Sequence, residues 1–382
     1  MDFNPTEGQR LIASTVREFA EKEVAPIAND IEEEMHFPVE LIPKMAELGL
    51  MGMQVPEEYG GAGLDTVSYA MAIEELARVS ASVAIIVSVH NSLVLYPFLR
   101  FGNEEQKRRY IPDMVRGKLL GAYCITEATA GSDVSNESSL GVRKGNHYIL
   151  NGEKLYITNG EKADVFFVMI RTFPGQGSRS LTAFIIERGT PGFEISKPEK
   201  KMGLNASGTV AIKLNNCVVP AENVLGEEGM GMRIALSTLD GGRIGVAAQS
   251  VGIAQGAFEA ALSYSKQREQ FGKKICEFQA IQWMLADMAT GIEASRLLLY
   301  RAASLRDSGS NYSQAASMAK LFASETAAMV VDKALQIHGG LGYIRGTPVE
   351  RFYRDARVTR IYEGTSEIQR LVIARNLLRD SK

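Results

Sequence analysis

Hydrophobic side chains divide the chain into three regions with different periodicities. In residues 1–120 they recur every three to four positions, which predicts amphipathic helices. Residues 121–228 instead contain short apolar runs separated by turn residues, which predicts short antiparallel strands in a small barrel or sandwich. Residues 229–382 return to a helical period in long runs, which predicts a four-helix bundle. The predicted fold class is α+β, mostly α, with three domains at these boundaries.

The N-terminal region carries a helix-start signal and the most apolar run of the chain. Asn4 followed by Pro5 predicts the first helix, with the asparagine as its cap and the proline at the first helical position. Residues 83–99 are strongly apolar, but polar residues and Pro97 interrupt them, and they fall short of the ~20 residues that a membrane span needs. This run predicts a buried helix and no membrane span.

The middle region contains a turn signal on which its strand pairing depends. Asn151-Gly152 separates residues 147–150 from residues 153–158, and such a pair between strand-like segments predicts a two-residue β-hairpin. Further strands are predicted at 165–171, 181–187 and 210–214. Long helices of the C-terminal region are predicted at 231–267, 278–306 and 311–337.

Composition and charge exclude several function classes. A net charge of -3 and an isoelectric point near 6.0 argue against a nucleic-acid-binding protein, which usually has a basic excess. The three cysteines and four histidines are scattered, so neither a disulfide framework nor a metal site is indicated. The N-terminus lacks the pattern of a signal peptide, and a cytoplasmic location is expected.

Glu363 is the most informative candidate for chemistry. It stands between Tyr362 and Gly364, just before a predicted helix where Ser366 and Gln369 fit a capping box. A rigid helix start would hold the carboxylate in place, and the adjacent glycine lets a ligand approach the backbone. The arrangement suits a base that must reach one proton. A solvated glutamate in a tight turn is the plainer interpretation.

Two segments of the middle region could bind a ligand. Residues 123–133 are rich in hydroxyls and small side chains, and could turn donors toward an anionic group or form an ordinary turn. Tyr156 and Thr158 stand two positions apart, so on a strand they share one face. They could offer a flat ring one stacking surface and one hydrogen bond, or simply end the strand.

Two glycine-containing segments of the C-terminal region differ in what they indicate. Residues 336–342 end a predicted helix and match neither a dinucleotide-binding nor a nucleotide-triphosphate loop. Asp240 and Arg243 flank two glycines at a predicted helix start, as either a ligand-binding segment or a structural ion pair.

The order of these segments resembles that of the acyl-CoA dehydrogenase family over essentially the whole chain, and most of all its short-chain, butyryl-type members. The motifs that carry the resemblance are TEATAGSD at 126–133, YITNG at 156–160, REQFGK at 268–273, FQAIQ at 278–282, QIHGG at 336–340 and IYEGTSEIQ at 361–369. The resemblance implies a helical domain, a β domain and a four-helix bundle, assembled as a homotetramer around FAD. It also implies an acyl-CoA substrate and an electron-transfer flavoprotein as the electron acceptor.

The resemblance further implies roles for individual residues. Glu363 would remove the α-proton of the acyl-CoA while a β-hydride passes to the flavin. The residues that would bind FAD are Tyr123, Ile125, Thr126, Gly131, Ser132, Tyr156, Thr158, Arg268, Phe271, Gln279, Gln336, Gly339, Gly340, Thr365 and Glu367. Contributions to the FAD of a neighbouring subunit would come from Arg268, Gln279 and residues 336–340. The residues that would bind the substrate are Ser132, Asp240, Arg243, Tyr362 and Gly364.

Departures from the family pattern leave alternatives open. Ala128-Thr129 replaces the usual Pro-Gly, and the polar pair His90-Asn91 matches the acyl pocket, where it could suit a substrate other than a simple straight chain. Some relatives carry the base on another helix, but the matching residue here is Gly242. The alternatives are a dehydrogenase of a branched or alicyclic acyl-CoA and an oxygen-using oxidase of the same fold. A non-catalytic member that binds flavin or nucleic acid would need the base lost or a basic face, and the sequence shows neither.

Overall fold

The computed structural model describes residues 4–175 and 177–378. Its N-terminal region is helical, as predicted. The α-helices of this region are α1 (Glu7–Phe19), α2 (Ala28–Glu33), α3 (Leu41–Glu47), α4 (Thr66–Val79), α5 (Ala81–Ser88), α6 (Tyr96–Phe101) and α7 (Glu104–Val115). Two π-helical segments continue them, Ala20–Val24 after α1 and Val89–Leu95 between α5 and α6.

The first helix begins later than the sequence signal predicts. Its cap is Thr6, whose hydroxyl accepts from the N–H of Gln9 at 3.2 Å, while the Gln9 side chain accepts from the N–H of Thr6 at 2.9 Å. This reciprocal capping box satisfies two backbone donors at once. The predicted start with Asn4 as the cap is therefore wrong.

The apolar run of the N-terminal region is one continuous helical segment. Ala81–Phe101 spans 21 residues and is apolar enough, by length and composition alone, to cross a membrane, so the prediction that it is too short is wrong. The prediction that it is buried is confirmed, because 89% of its most apolar window lies inside the protein. It packs on α4, on the first strand of the middle region and on a long C-terminal helix.

The middle region forms one eight-stranded sheet. Its strands are β1 (Gly121–Cys124), β2 (Leu140–Lys144), β3 (His147–Ile157), β4 (Val165–Arg171), β5 (Leu181–Glu187), β6 (Phe193–Ile195), β7 (Val210–Pro220) and β8 (Val224–Leu225). Their order is β6-β7-β3-β2-β4-β5-β8, with β1 paired on β4. The pairs are antiparallel except that β1 and β2 each pair with β4 in parallel.

The predicted hairpin turn at Asn151-Gly152 is wrong. β3 runs through both residues, and its register against β7 shifts at Gly152 without reversing. Gly152 has a φ of +150° and lies so close to Ser139 that a Cβ would overlap that side chain. The hairpin that joins β2 to β3 turns instead at Gly145-Asn146. Bulges and turns use the same residue types, so the local sequence does not separate them.

β4 and β5 are buried on both faces because they lie between two cores. On β4, Phe166 and Val168 pack in the core of the sheet itself. Phe167 and Met169 alternate with them and pack against the helical core. The same alternation on β1 turns Tyr123 toward the helices, where its ring lies 5.5 Å from that of Phe167. The helix-facing side of β1 leads directly to the candidate site.

The C-terminal region is built mainly from helices, and its long helices lie where they were predicted. They are α8 (Gly231–Gln267), α9 (Gln279–Asp307), α10 (Ser313–His338), α11 (Pro348–Ala356) and α12 (Ser366–Leu377), with a small hairpin of β9 (Glu269–Gln270) and β10 (Lys273–Lys274) after α8. α8, α9 and α10 pack on one another, and α11 and α12 pack on α10. α4 packs on α8 and α9, and so joins the N-terminal helices to this bundle.

Candidate active site

A cavity of about 610 Å³ opens where the three regions meet. Ile85, Val89 and Leu93 form one side of it, which we call the apolar wall. The predicted site residues that line the cavity are Tyr123, Ile125, Thr126, Gly131, Ser132, Tyr156, Thr158, Arg243, Tyr362, Glu363 and Gly364. The fold thus gathers, around one space, residues that are far apart in the sequence.

Glu363 reaches the cavity from a strained segment just before α12. Its φ is +52°, in the left-handed region that a residue with a side chain rarely adopts, and Gly364 follows with a φ of +93°. Such strain persists only where the surroundings hold it in place, and it is common at functional sites.

The helix start beside Glu363 differs from the predicted one. Thr365, not Ser366, caps α12, because its hydroxyl accepts a first-turn N–H at 3.3 Å. The side chain of Gln369 does not reach the cap; it donates to the carbonyls of Glu363 and Gly364 at 3.1 and 2.9 Å. The predicted capping box of Ser366 with Gln369 is therefore wrong, since the carbonyls of the left-handed turn bind the glutamine.

The carboxylate of Glu363 is desolvated and incompletely bonded. Among the residues that the structure describes, its buried Oε2 has no hydrogen-bond partner. Burial raises the pKa of Glu363 from 4.5 to about 7, against the opposing attraction of Lys320 and Arg243. At neutral pH the carboxyl group is then near the midpoint of its titration, which suits a residue that takes up a proton.

Gly242 in α8 leaves the room that this carboxylate occupies. A Cβ at that position would overlap Oε2 of Glu363 and would lie 2.8 Å from both its carboxyl carbon and Cδ2 of Leu93. The two positions at which the family resemblance allows a base therefore lie side by side, and only Glu363 carries a carboxylate there.

The predicted acid–arginine segment lies inside α8, so the predicted helix start there is wrong. Asp240 and Arg243 stand one turn apart and form an ion pair, and Ser313 donates to Asp240 at 2.9 Å. The glycines between them do not mark a helix end. Gly242 instead lets the Glu363 side chain approach α8 closely. Arg243 lines the cavity, whereas Asp240 acts on it only through Arg243.

Lys320 in α10 belongs to this site, although the sequence analysis missed it. The lysine is fully buried, and its ammonium donates to the carbonyl of Gly364 at 2.8 Å. A signal was present in the sequence, because Lys320 shares a buried stripe with Ala316, Ala319 and Ala323. A charge on such a stripe needs a polar partner.

Gln249 in α8 was also missed. The hydroxyl of Tyr362 donates to its Oε1, and its amide donates to the carbonyl of Ala81 at 2.9 Å. Gln249 is fully buried and so holds the tyrosine by a bond that water does not replace. The bonds tie the segment before Glu363 to α5, which carries part of the apolar wall.

The loop after β1 is held on β3 by a buried ion cluster. Lys154 is fully buried and lies 2.7 Å from Glu127 and 3.0 Å from Glu137; we call these three residues the Lys154 cluster. Glu127 also accepts from the N–H groups of Ser138 and Ser139 at 2.5 and 3.2 Å. Both ends of the cavity-lining loop are therefore bound to one strand.

The unusual dipeptide Ala128-Thr129 lies in a closed turn of that loop. The backbones of Glu127 and Ala130 exchange hydrogen bonds of 3.0 and 3.2 Å across it. The Thr129 hydroxyl donates to the carbonyl of Asn136 at 3.3 Å, and the Asn136 amide donates back to the carbonyl of Thr129 at 2.9 Å. These bonds set the backbone path where the family pattern has Pro-Gly.

Tyr156 and Thr158 reach the cavity through a second bulge of β3. The register shifts between Lys154 and Ile157, and Tyr156 adopts a φ of +60°. Tyr156 is 68% exposed, and Thr158 follows the end of the strand. The structure brings both residues to one space, by a bulge and not by simple strand alternation.

A second set of predicted site residues lies on the surface and does not line the cavity. The exposed members are Arg268, Phe271, Gln279, Gln336, Gly339 and Gly340. The rings of Tyr264 and His338 stack at 4.4 Å and bring the ends of α8 and α10 together. Thr365 and Glu367, at the start of α12, do not line the cavity either.

The polar pair His90-Asn91 does not line the cavity, so the suggestion of a polar acyl pocket is wrong. Asn91 accepts from the N–H of Met53 at 3.0 Å and donates to two carbonyls at 2.8 and 2.9 Å. His90 accepts from the N–H of Gly121 at 3.1 Å, and burial lowers its pKa to about 4. The helix turns both side chains into the protein and presents the apolar wall to the cavity.

Family models match the chain along most of its length. They are "Acyl-CoA dehydrogenase, N-terminal domain" over residues 6–118, "Acyl-CoA dehydrogenase, middle domain" over 122–217 and "Acyl-CoA dehydrogenase, C-terminal domain" over 229–378. These models define a family of flavin-dependent oxidoreductases. The chain belongs to the acyl-CoA dehydrogenase family.

Relatives agree with this assignment. The short-chain specific acyl-CoA dehydrogenase of Clostridium acetobutylicum is 47% identical over 99% of this chain and 100% of its own length. The solved structure of butyryl-CoA dehydrogenase from Megasphaera elsdenii is similar with a TM-score of 0.97 and 45% identity, over 99% of this chain and all of that one. A chain in the structure described as "Electron transferring flavoprotein of Acidaminococcus fermentans: Towards a mechanism of flavin-based electron bifurcation" gives a TM-score of 0.98 and 50% identity over both full lengths.

Proposed function

We propose that this protein catalyses the FAD-dependent α,β-dehydrogenation of a short-chain acyl-CoA to the trans-2-enoyl-CoA. The observation that carries the proposal is the Glu363 carboxylate, which faces the cavity and whose pKa burial raises to about 7. A carboxylate in that state takes up a proton near neutral pH. Family membership and the short-chain specific relative support the same reaction.

Glu363 would act as the base that removes the α-proton of the thioester. Because that proton is very weakly acidic, the base must be strengthened and the developing enolate stabilised. Burial strengthens the base. In the part of the chain that the structure describes, the backbone N–H of Glu363 donates no hydrogen bond, so it is available to the thioester carbonyl. One such donor contributes ~3–4 kcal/mol in comparable sites.

The residues around the cavity fit a flavin. Tyr156 offers an exposed ring, Thr158 and Ser132 offer hydroxyls, and the buried hydroxyl of Tyr123 has no partner among the described residues. FAD held here would accept the hydride that leaves the β-carbon. Of the other residues of the proposed FAD site, Ile125, Thr126 and Gly131 line the same cavity. Those outside it are Arg268, Phe271, Gln279, Gln336, Gly339, Gly340, Thr365 and Glu367. Among these, Arg268, Gln279 and residues 336–340 would contribute to the FAD of a neighbouring subunit.

The apolar wall suits the hydrocarbon part of an acyl chain. Tyr362 stands at the same cavity and is fixed by Gln249, so it would shape the space left for the chain. Ser132, Arg243 and Gly364 would contact the rest of the acyl-CoA, and Asp240 would hold Arg243. The named relatives support a short chain over a branched or alicyclic one.

A Glu363→Gln variant tests the base. Glutamine has nearly the same size but cannot take up the proton, so flavin reduction should slow by ~10²–10⁴-fold while FAD and butyryl-CoA still bind. The measurement is the bleaching of the flavin band after anaerobic mixing with butyryl-CoA. Glu34→Gln, at an exposed position, is the control. Rapid bleaching of the Glu363 variant would show that another residue is the base.

The acyl group is tested with the wild-type protein. Butyryl-CoA should bleach the flavin faster than branched, alicyclic or long-chain acyl-CoA. A faster reaction with one of those would reassign the substrate. Steady peroxide formation in air would support the alternative of an oxidase.

We also propose that electrons pass to an electron-transfer flavoprotein. The similarity to a chain in the structure described as an electron transferring flavoprotein of Acidaminococcus fermentans supports this acceptor.

We further propose that the protein is a cytoplasmic homotetramer with domains at 1–120, 121–228 and 229–382. Phe271 and Tyr343, 93% and 83% exposed, support contact between subunits. The three free cysteines suit a reducing compartment. Light scattering of the holoprotein would test the subunit number.

A further inference from the structure

Lys320 carries a buried charge beside the segment that presents Glu363. Its side chain is fully buried in α10, and its ammonium donates to the carbonyl of Gly364 at 2.8 Å. In the part of the chain that the structure describes, no carboxylate oxygen lies within 4.0 Å of that ammonium. Burying an ammonium without a close anion is costly, so its presence here calls for a role that a neutral side chain would not fill.

Two other charged groups near Glu363, Arg243 and Glu325, form ion pairs with other residues. Arg243 of α8 is paired with Asp240. Glu325 of α10 is paired with Arg360 at 3.0 Å, and it also accepts from Ser366.

The remaining ionisable groups that face Glu363 do not offset its charge. Tyr69 of α4, Tyr123 of β1 and the adjacent Tyr362 are phenols whose pKa burial raises, to about 12 for Tyr69, so all three are neutral. Glu367 of α12 is an exposed acid near Lys320. Of the two cations near Glu363, Arg243 pairs with Asp240, whereas Lys320 binds the backbone of Gly364, the residue next to Glu363.

We propose that Lys320 is a positioning residue for Glu363, which fixes the Gly364 carbonyl and favours the ionised carboxylate at neutral pH. This inference rests on the proposed function of Glu363 as the base. The lysine would not touch the substrate. It would act by keeping the strained turn in place and by opposing the effect of burial on the carboxylate.

The electrostatics of the pair agree with this role. Burial raises the pKa of Glu363 to about 7, and Lys320 is the strongest of the charges that oppose the rise. Burial lowers the pKa of Lys320 itself to about 8, which leaves the ammonium protonated where Glu363 titrates. Without the ammonium, Glu363 would hold its proton to higher pH and would be a base in a smaller fraction of molecules.

Gln369 provides a matched control for this charge. It donates to the same Gly364 carbonyl at 2.9 Å and to the carbonyl of Glu363 at 3.1 Å, but it is neutral. Its loss would disturb the turn without removing a charge. Comparing Lys320 with Gln369 therefore separates the effect of the positive charge on Glu363 from the effect of the hydrogen bond to the turn.

The experiment measures the rate of flavin reduction in the holoenzyme by butyryl-CoA across a range of pH. Because the reactive form of Glu363 is the carboxylate, the rate should rise with pH through its midpoint. Lys320→Gln keeps a hydrogen-bond donor and Lys320→Met keeps none. Both should move the midpoint about one pH unit to the alkaline side, as the loss of a nearby opposite charge does. Lys320→Arg should keep the wild-type midpoint, and Gln369→Met should lower the rate without moving the midpoint.

Flavin content and melting temperature verify that each variant is folded, and Lys320→Gln serves if Lys320→Met does not fold. An unchanged midpoint in a folded Lys320→Gln or Lys320→Met variant would overturn the inference, even if the rate falls. An equal midpoint shift in Gln369→Met would overturn it too. Glu363→Gln separates the two proposals. If this variant still reduces flavin rapidly, the proposed base is wrong. If it loses activity but the Lys320 variants keep the wild-type midpoint, only the proposed role of Lys320 is refuted.

Discussion

At the residue scale, the site depends on one carboxylate and on the space that one glycine leaves for it. Glu363 sits in a left-handed turn, its Oε2 has no hydrogen-bond partner among the residues that the structure describes, and Gly242 of α8 leaves room for that oxygen. A glycine within a helix costs ~0.5–1 kcal/mol relative to alanine. Gly242 is therefore explained by the site and not by the helix.

Gly242→Ala should slow flavin reduction by butyryl-CoA by ~10²-fold or more, because the added Cβ displaces the Glu363 carboxylate and small misplacements of reacting groups carry such costs. The protein should still fold, since alanine is the better helix former. The measurement is the anaerobic bleaching rate together with the melting temperature. Gly241→Ala is the matched control, because its Cβ would meet only the flexible end of Arg306, at 3.3 Å. Equal rates of flavin reduction in the two variants would show that the Glu363 carboxylate does not need the space left by Gly242.

At the scale of elements, β3 does two things that a regular strand does not. Its bulges turn Tyr156 into the cavity, and its Lys154 holds the cavity-lining loop by Glu127 and Glu137. Burial raises the pKa of Glu137 to about 7. Against burial, which would raise it, Lys154 and two serines hold the pKa of Glu127 at about 2. Glu127 is thus the permanently ionised partner of the lysine.

Lys154→Met should lower the free energy of unfolding by ~3–5 kcal/mol, because it leaves the Glu127 carboxylate buried without its cation. The loop should then loosen, and FAD should bind less tightly. Melting temperature and flavin content after gel filtration measure the two effects. Lys162→Met removes an exposed lysine that pairs with the partly buried Glu161, and it should change much less. Full flavin content and an unchanged melting temperature in the Lys154 variant would refute the role of the cluster.

At the scale of the whole molecule, a second pair of acids joins the three regions. Glu32 of α2 accepts from the N–H of Asn205 at 2.8 Å, and Asp355 of α11 accepts from the N–H of Leu204 at 2.8 Å. The N-terminal and C-terminal helices therefore hold the same turn of the middle region. Burial, and next the nearby Glu32, raise the pKa of Asp355 from 3.8 to about 7.

This junction predicts a pH-dependent stability. Between about pH 4 and pH 7 the folded protein binds a proton at Asp355 that the unfolded chain has released, so stability falls as pH rises through this window. Asp355→Asn cannot ionise, and it should gain up to ~3–4 kcal/mol relative to wild type at pH 8 and little at pH 4. Melting temperatures across this range measure the difference. Asp332→Asn, at an exposed position of α10, is the control, and a parallel pH profile in wild type and Asp355→Asn would refute the prediction.

Much of the fold could be predicted because periodicity is a local property. The long helix predicted at 231–267 is Gly231–Gln267, and the apolar strands predicted at 165–171 and 181–187 are β4 and β5. The errors arose where one local signal has two structural solutions. Asn151-Gly152 forms a bulge because β7 and Ser139 pack on it, which no local pattern records.

The sequence by itself determined the order of elements, the family motifs and the identity of Glu363 as the candidate base. Only the tertiary structure decided that this carboxylate is desolvated, that Gly242 makes room for it and that Lys320 holds its segment. The reason is that a pKa and a steric fit depend on every group within a few ångströms. Helices α8 and α10 bring those groups together from positions far from Glu363 in the chain.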